Sequence, residues 1–474
     1  MNNKLIYYNR SLSCLVGKKY EIVTFLFALF TTFEVFKTER YGITILYADF
    51  FYFIFVAFTL LEFVFQKKSF VINVKLIPIL SVFFLLVIST LNFLPSVIDM
   101  AFDKSQMDGS IPAIKYTIRN IFQLFLYAII CFLGKNLQKQ AVRGFCYGFL
   151  LAIIIHSIYS IVQMVFMYAY MKDIHTLILG NIGITKETIN HDLVNYIGYP
   201  IIRNSGFHWD PAYFGLWGCI GLSTFLFTQT NIIWRKYVIF IIALAWSFSF
   251  SRSGYFAFLC GIIIIGIGHY FNPTLSFIRI KNVLKYSLYI CVLVLVVFAL
   301  LPIDLQNYIM ESFSYRFTYN PDSKGTSRHL LYPLWAFEGS IHDIWHFIFG
   351  YGPRNSSRGI AYGGNILDLT TGRVYDIESD FCKMLLSYGI ICMILYILFN
   401  YYIVKYYIKF INFKISSFEA YFYLFGVIGS FFAGIFYMYN DSKWIWFMYL
   451  FALIFLNNQK CSKYDRCFNH TSKL

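Results

Sequence analysis

Long apolar blocks alternate with short polar gaps along the whole chain. A membrane-spanning helix needs about 20 mostly apolar residues, and roughly twelve blocks approach that length. They lie at residues 20–36, 42–65, 76–95, 112–133, 144–170, 211–229, 236–250, 254–270, 286–303, 381–404, 418–439 and 443–457. Blocks seven and eight are short and flank Ser251–Gly254, which favours a helical hairpin. The pattern predicts an all-α, polytopic integral membrane protein of about 12 transmembrane helices, with residues 1–474 as a single transmembrane domain.

The polar gaps are alternately rich and poor in Lys and Arg. The rich gaps hold Lys67, Lys68 and Lys75; Lys135, Lys139 and Arg143; Arg235 and Lys236; Arg279, Lys281 and Lys285; and Lys405, Lys409 and Lys414. Cytoplasmic loops of membrane proteins carry such an excess. We therefore expect both termini and the gap Lys135–Arg143 to be cytoplasmic. Two long gaps, 171–210 and 304–380, are then expected on the opposite, periplasmic face.

The composition agrees with a membrane protein. Of the 474 residues, 58% are hydrophobic and 13% are charged, whereas a soluble domain has about a quarter charged residues. The net charge is +15, but much of the Lys and Arg stands beside apolar blocks. There it sets topology and meets anionic lipid headgroups, so we expect membrane lipid and no nucleic acid as a partner. None of the ten cysteines lies within the two long gaps, and no disulfide is expected.

Part of the second outer loop is predicted to be helical. Between Thr326 and Phe349, apolar residues recur at spacings of three, four and seven. Such spacing is typical of an amphipathic helix on the membrane surface or over a helical bundle. Thr326 or Ser327 could cap this helix, and Gly350–Pro353 predicts its end.

Two short motifs beside apolar blocks carry candidate chemistry. The segment Arg203–Pro211 would present Arg203, His208 and Asp210 at the outer mouth of block six. A capped helix start explains Asp210 and Pro211 adequately but explains Arg203 and His208 less well. The second motif is Ser251–Gly254, whose Arg252 would cost a few kcal/mol at membrane depth. Arg252 is either a functional cation in a serine-lined pocket or a hairpin-tip residue whose charge reaches the interface.

The second outer loop adds arginines and carboxylates. Its arginines are Arg316, Arg328, Arg354, Arg358 and Arg373. Arginine suits bidentate phosphate binding, although long loops partly escape the charge rule that governs short ones. At the outer end of block ten, Ser379 or Asp380 is expected to cap a helix. Glu378 has no such structural role and is a candidate general base.

Four stretches together resemble the O-antigen polymerase/ligase superfamily of bacterial inner membranes. They are Arg203–Phe207 with Asp210–Gly215; Ser251–Gly254; Ser327–Arg328 with Gly350–Gly352; and Glu378–Phe381 with Gly389–Ile390. The resemblance covers residues 200–395. It implies a fold like that of the multispan, lipid-dependent (GT-C-like) glycosyltransferases, in the inner membrane with a periplasmic active site. It also implies metal-independent glycosyl transfer without a cofactor, from an undecaprenyl-pyrophosphate-linked oligosaccharide.

The resemblance assigns roles to several of these residues. It implies that Arg203, Arg252 and Arg328 bind the donor pyrophosphate, and Arg354 is a further candidate. The catalytic base is expected to be Glu378, with His208 and Asp210 as the next candidates; no metal site is expected.

The acceptor distinguishes the possible functions. Ligases of this superfamily carry a His at the position of Glu378, so the chain resembles the O-antigen polymerase family more than the ligases. The alternative is an O-antigen ligase that transfers the glycan to lipid A-core. A lipid-linked oligosaccharide flippase is the alternative of another class, but transporters usually show repeated halves or broken helices, which the sequence does not show. A chain-length regulator and a flippase are further partners that the resemblance suggests.

Overall fold

The computed structural model describes residues 18–33, 37–40, 43–65, 77–91, 107–170, 193–196, 199–202, 205–208, 210–228, 234–249, 251–272, 326–352, 379–413, 417–437, 439 and 442–471, with residue 174 and scattered positions between 288 and 310. The description below is confined to these residues. Block nine of the apolar pattern, residues 286–303, lies mostly outside them.

The described chain is predominantly helical. Its helices are α1 (18–30), α2 (Tyr47–Phe65), α3 (Ile77–Leu91), α4 (Met107–Phe132), α5 (Lys135–Tyr170), α6 (Pro211–Phe227), α7 (Arg235–Ser247), α8 (Arg252–Phe271), α9 (Thr326–Ile341), α10 (Ile344–Phe349), α11 (Asp380–Phe410), α12 (Ser417–Ala433) and α13 (Lys443–Thr471). Two antiparallel hairpins were not predicted: β1 (Lys37–Arg40) pairs with β2 (Ile43–Leu46), and β3 (Leu193–Tyr196) pairs with β4 (Tyr199–Ile202). The helical character of the fold agrees with the expected class.

Within the described residues, three helices are long and apolar enough to cross a membrane: Lys135–Phe166, Arg252–Phe271 and Asp380–Phe410. Shorter apolar helical segments lie at Ile79–Leu91, Ile118–Phe132, Pro211–Phe227 and Phe418–Ala433. These helices fit a membrane protein. The number of twelve spans stays a prediction.

Three groups of cations that the sequence placed in gaps between apolar blocks lie within helices. The segment Lys135–Arg143 forms the first turns of α5, Arg235 and Lys236 begin α7, and Lys405 and Lys409 belong to α11. With 36 residues, α5 is about 54 Å long, which exceeds a hydrocarbon core of about 30 Å. A helix of this length can carry its cations beyond the apolar layer. Arg143 pairs with Glu419 of α12 at 3.5 Å. The start of α5 and the start of α12 therefore lie at the same end of the bundle.

Helix α6 is the central helix of the bundle. All its residues are buried, and it packs against α5, α7, α8 and α12. A helix that is apolar on every side is suited to burial among other helices or to contact with lipid, and here it is enclosed by helices. Its N-terminal half touches α8 closely, because a Cβ at Gly254 would lie 2.5 Å from the Gly215 carbonyl oxygen. The first turns of α6 and α8 therefore meet backbone to backbone.

Helix α11 is broken at Gly389, which has φ 79° and ψ 175°. The carbonyls freed by the break are satisfied by the protein: the Tyr351 N–H donates to the Leu386 oxygen at 2.7 Å and the Gly352 N–H donates to the Ser387 oxygen at 2.9 Å. Irregular backbone at membrane depth is tolerated where protein groups satisfy it. The sequence showed no sign of a broken helix, so it did not predict this break. The break brings together two glycine stretches that the sequence places far apart.

The amphipathic helix predicted over 326–349 is two helices, α9 and α10. The first ends at Ile341, and Asp343 caps the second, because its side chain accepts a hydrogen bond from the Trp345 N–H at 3.1 Å. The His346 Nδ1 lies 2.7 Å from the Asp343 Oδ2. The backbone hydrogen bond and this contact with His346 lower the pKa of the Asp343 carboxyl below its usual value. The predicted end at Gly350 is confirmed, since this residue has φ 79°.

Gly389→Ala is expected to destabilise the protein by about 3 kcal/mol or more. A Cβ at this position would lie 2.1 Å from the Ile348 carbonyl oxygen, and the positive φ disfavours any side chain. Gly266→Ala is the matched control, because a Cβ there meets nothing within 4 Å and alanine favours a helix interior. Thermal unfolding in detergent measures both variants. Equal melting temperatures would contradict a strained contact at Gly389.

Candidate functional site

Polar side chains gather where the first residues of α6, α8 and α11 meet the turn that joins α12 to α13. We define this helix-end cluster as Asp210, Ser251, Ser253, Asp380, Tyr437 and Tyr439. The Lys/Arg-rich starts of α5 and α7 lie at the opposite end of the bundle. Two of the four motifs that the sequence singled out, at Asp210 and at Ser251–Gly254, contribute to the cluster, and a third contributes Asp380.

Asp210 is the N-cap of α6, as predicted. Its Oδ1 accepts a hydrogen bond from the Ala212 N–H at 2.7 Å, and Pro211 follows at the first helical position. The Tyr437 hydroxyl donates to Oδ2. Both carboxylate oxygens therefore accept hydrogen bonds, which fixes the orientation of Asp210 beside the turn.

Tyr439 joins three elements through one hydroxyl. This hydroxyl donates to the Ala212 carbonyl oxygen of α6 at 2.9 Å and contacts the Ser253 hydroxyl of α8 at 2.8 Å. Ser253 in turn lies 3.0 Å from the Ser251 hydroxyl, which accepts from the Gly254 N–H. Burial raises the pKa of the Tyr439 hydroxyl well above its usual range, so the group stays protonated and donates.

Asp380 is buried, with 2% of its surface exposed. Its Oδ1 accepts a hydrogen bond from the Tyr439 N–H at 2.9 Å, and its own N–H donates to the Gly434 carbonyl oxygen at 2.8 Å. The predicted capping role is therefore corrected: Asp380 is the first residue of α11, and Ser379 occupies the cap position without a side-chain cap bond. The Ser379 hydroxyl donates instead to the Ile435 carbonyl oxygen at 2.8 Å. Both residues hold the α12–α13 turn against α11.

His208 lies in the interior and not on the outer surface. It is fully buried, its ring packs on Tyr213 with 4.2 Å between centroids, and its Nδ1 accepts from the Asp210 N–H at 2.9 Å. This bond places the proton of a neutral ring on Nε2. The geometry suits His208 to positioning Asp210 more than to touching a substrate.

Arg252 is the exposed first residue of α8. The two serines beside it are buried and bonded to each other, so they form a cap and a helix contact and not the predicted pocket around the guanidinium. A cation at a helix N-terminus opposes the positive end of the helix dipole. A bound anion would relieve this repulsion.

The remaining predicted site residues are Arg203, Arg328, Arg354 and Glu378. Arg203, Arg354 and Glu378 lie outside the described residues, and so does the side chain of Arg328, whose backbone belongs to the first turn of α9. Glu378 directly precedes Ser379 in the sequence.

Sequence reasoning missed several residues near the cluster. His156 of α5 accepts the Phe207 N–H on Nδ1 at 2.9 Å and lies 3.0 Å from the Thr32 hydroxyl through Nε2. A histidine inside an apolar block is unusual, and this position in the sequence could have indicated His156. Tyr437 and Tyr439 carried no signal, because this chain contains 39 tyrosines.

The helices and the cluster at their ends define a multispan membrane protein with a polar site at one end of its bundle. Residues 237–397 match the family model described as O-antigen ligase. The match supports the O-antigen polymerase/ligase superfamily, a role in polysaccharide assembly and a glycosyltransferase-like activity. It runs from α7 into α11 and includes Arg252, Asp380 and Gly389, whereas Asp210 lies before it. A comparison with curated proteins found no match.

Tyr439→Phe is expected to lower the free energy of unfolding by about 1–3 kcal/mol, because buried partners at Ala212 and Ser253 would lose their hydrogen bond. Tyr401→Phe is the matched control, since Tyr401 is 55% exposed on α11 and should change stability by about 0.5 kcal/mol or less. Thermal unfolding in detergent compares them. If both variants melt together, the Tyr439 hydroxyl does not hold the helix ends in place.

Proposed function

We propose that this protein is a polymerase of a bacterial surface polysaccharide of the O-antigen type. It transfers the growing glycan from undecaprenyl pyrophosphate onto a lipid-linked repeat unit at the periplasmic face of the inner membrane. The observation that carries the proposal is Arg252, an exposed cation at the start of α8 within the segment that matches the family model. An anionic leaving group would bind there.

The main barrier of the proposed reaction is the negative charge that develops on the leaving group. A sugar hydroxyl attacks the anomeric carbon, the bond to the pyrophosphate breaks, and negative charge develops on the pyrophosphate. Preorganised cations stabilise such charge, and Arg203, Arg252, Arg328 and Arg354 are the proposed set. The helix-end cluster supports this role because it fixes the first turns of α6, α8 and α11 relative to one another.

A base is proposed to take the proton of the attacking hydroxyl. Among the candidates, His208 is buried and both oxygens of Asp210 already accept hydrogen bonds. These contacts suit both residues to positioning. Glu378, one residue before the cap of α11, therefore stays the first candidate for the base, with Asp210 and His208 after it.

The ligase is a second candidate because the matching family model is described as O-antigen ligase. The two functions differ only in the acceptor, so a product assay separates them. Purified protein is supplied with a lipid-linked repeat unit alone or together with lipid A-core. A ladder of products from the repeat unit alone supports the polymerase, whereas single transfer to lipid A-core and no ladder would contradict it.

The break in α11 gives a third candidate, a lipid-linked oligosaccharide flippase, since transporters use broken helices. Here the freed carbonyls bond to Tyr351 and Gly352, so the break anchors the α10 end to α11. This contact favours a fixed structural role. Liposomes that transport the lipid-linked unit without forming a new glycosidic bond would favour the flippase.

The proposed topology is tested by labelling single cysteines with a membrane-impermeant reagent. Cysteines placed at Lys186 and Lys324 are expected to react from the periplasmic side, whereas one at Lys139 and those at either terminus should react only after the membrane is opened. The distribution of Lys and Arg is the physical reason. Labelling at Lys139 from outside would contradict the proposed orientation, and the helix-end cluster would then face the cytoplasm.

A further inference from the structure

A groove of about 870 Å³ lies between α8, α11 and α12. Its lining is mostly aliphatic and aromatic, and it opens at the surface of the bundle, where Ile267 is 57% exposed and Phe271 is 72% exposed. The polar lining residues are Asn400, Tyr401, Lys405 and Lys409, all on α11. An apolar groove with cations on one wall is suited to bind an amphiphile, with its apolar part in the groove and its anionic group at the cations.

The length of the groove fits one leaflet of a bilayer. At about 1.5 Å per residue, the stretch of α11 from Ile397 to Lys409 is about 18 Å long, and half of a hydrocarbon core is about 15 Å. At the end of the groove that carries the lysines, α8 and α11 are joined directly. The Asn272 side chain at the end of α8 donates to the carbonyl oxygens of Ile408 and Ile411. The groove therefore ends near its cations.

The two lysines stand where a lipid headgroup would lie. Lys405 and Lys409 are one helical turn apart and exposed, and each ammonium lies over an aromatic ring, at 5.4 Å from Tyr401 and 5.3 Å from Phe410. The ion pairs seen among the described residues, Arg143–Glu419 and Asp343–His346, involve neither lysine. Exposed tyrosines on the same turns are typical of the membrane–water interface.

We propose that this groove binds an anionic phospholipid. One acyl chain lies along the wall formed by Ile397, Val404 and Ile408, and the phosphate is held between Lys405 and Lys409. The proposal is independent of the glycosyl transfer, because the site stands at the opposite end of α11 from Asp380. A lipid held between α8 and α11 would also stabilise the packing of two helices that carry the cluster.

The headgroup is tested by native mass spectrometry of delipidated protein titrated with phosphatidylglycerol or phosphatidylcholine. The double variant Lys405→Gln/Lys409→Gln is expected to bind phosphatidylglycerol about 30-fold more weakly, since each lysine at the surface favours an anionic lipid. The control Lys135→Gln/Lys139→Gln removes the same charge from exposed positions of α5 at the same end of the bundle. Equal losses in both double variants, or equal binding of both lipids by the wild type, would overturn the site.

The acyl chain is tested by filling the groove. Ile267→Trp should lower lipid occupancy without any change of charge, whereas Ile391→Trp, an exposed position of α11 outside the groove, should leave it unchanged. The other possible occupant is the apolar segment 286–303 of this chain. Efficient cross-linking between Ile267→Cys and Leu295→Cys, with lipid binding unaffected by Ile267→Trp, would assign the groove to that segment and overturn the proposal.

Discussion

Arg252→Lys is expected to lower polymerisation at least about 100-fold while the protein reaches the membrane at its normal level. Lysine keeps the charge but loses the planar fork that binds two phosphate oxygens at once. Removal of one preorganised donor to a developing anion typically costs about 10²–10³ in rate. Arg252 is exposed, so its replacement should leave the packing of α8 intact. Initial rates of product-ladder formation, normalised to membrane protein, give the measurement.

Lys236→Gln is a suitable control for Arg252. It removes a cation from the first turn of α7, which lies at the opposite end of the bundle from Arg252, and should leave the rate unchanged. Thermal unfolding of both variants separates a loss of folding from a loss of chemistry. A lysine variant with normal ladders would remove Arg252 from the pyrophosphate-binding set and leave Arg203, Arg328 and Arg354 as its members.

Local features of the fold could be predicted from the sequence because they depend on neighbouring residues. The cap at Asp210 followed by Pro211 and the helix end at Gly350 both follow from residue type at adjacent positions. The break at Gly389 could not be predicted in this way. Its carbonyls are satisfied by Tyr351 and Gly352, which are almost forty positions earlier in the chain, and a single sequence gives no sign of that pairing.

The candidate site divides in the same manner. Arg252 and Asp210 were found because a charge beside an apolar block is unusual. Asp380 was assigned a capping role, since its position at a helix start suggested one, whereas its partner is the Tyr439 N–H. Tyr437 and Tyr439 lie near the end of an apolar block, and a tyrosine there is typical of a membrane interface. Only the fold shows that these tyrosines join α6 and α8.

Glu378→Gln is expected to lower turnover about 10²–10⁴-fold, which is the usual range for the loss of a general base. Glutamine keeps the size and polarity of the side chain, so the level of protein in the membrane should not change. Glu338→Gln on α9 is the matched control, because it removes a carboxylate from the same long segment between apolar blocks and should have little effect on rate.

The pH dependence of initial rates decides what Glu378 does. If it is the base, the wild type should lose activity as falling pH protonates the carboxylate, and the glutamine variant should lose this acidic limb together with most of its rate. If Glu378 only holds an arginine such as Arg328, glutamine can still accept that hydrogen bond and the loss should be mild at every pH. Near-wild-type rates across the whole range would place the base elsewhere. Asp210→Asn would then be the next variant to measure, since Asp210 is the half-buried carboxylate of the helix-end cluster.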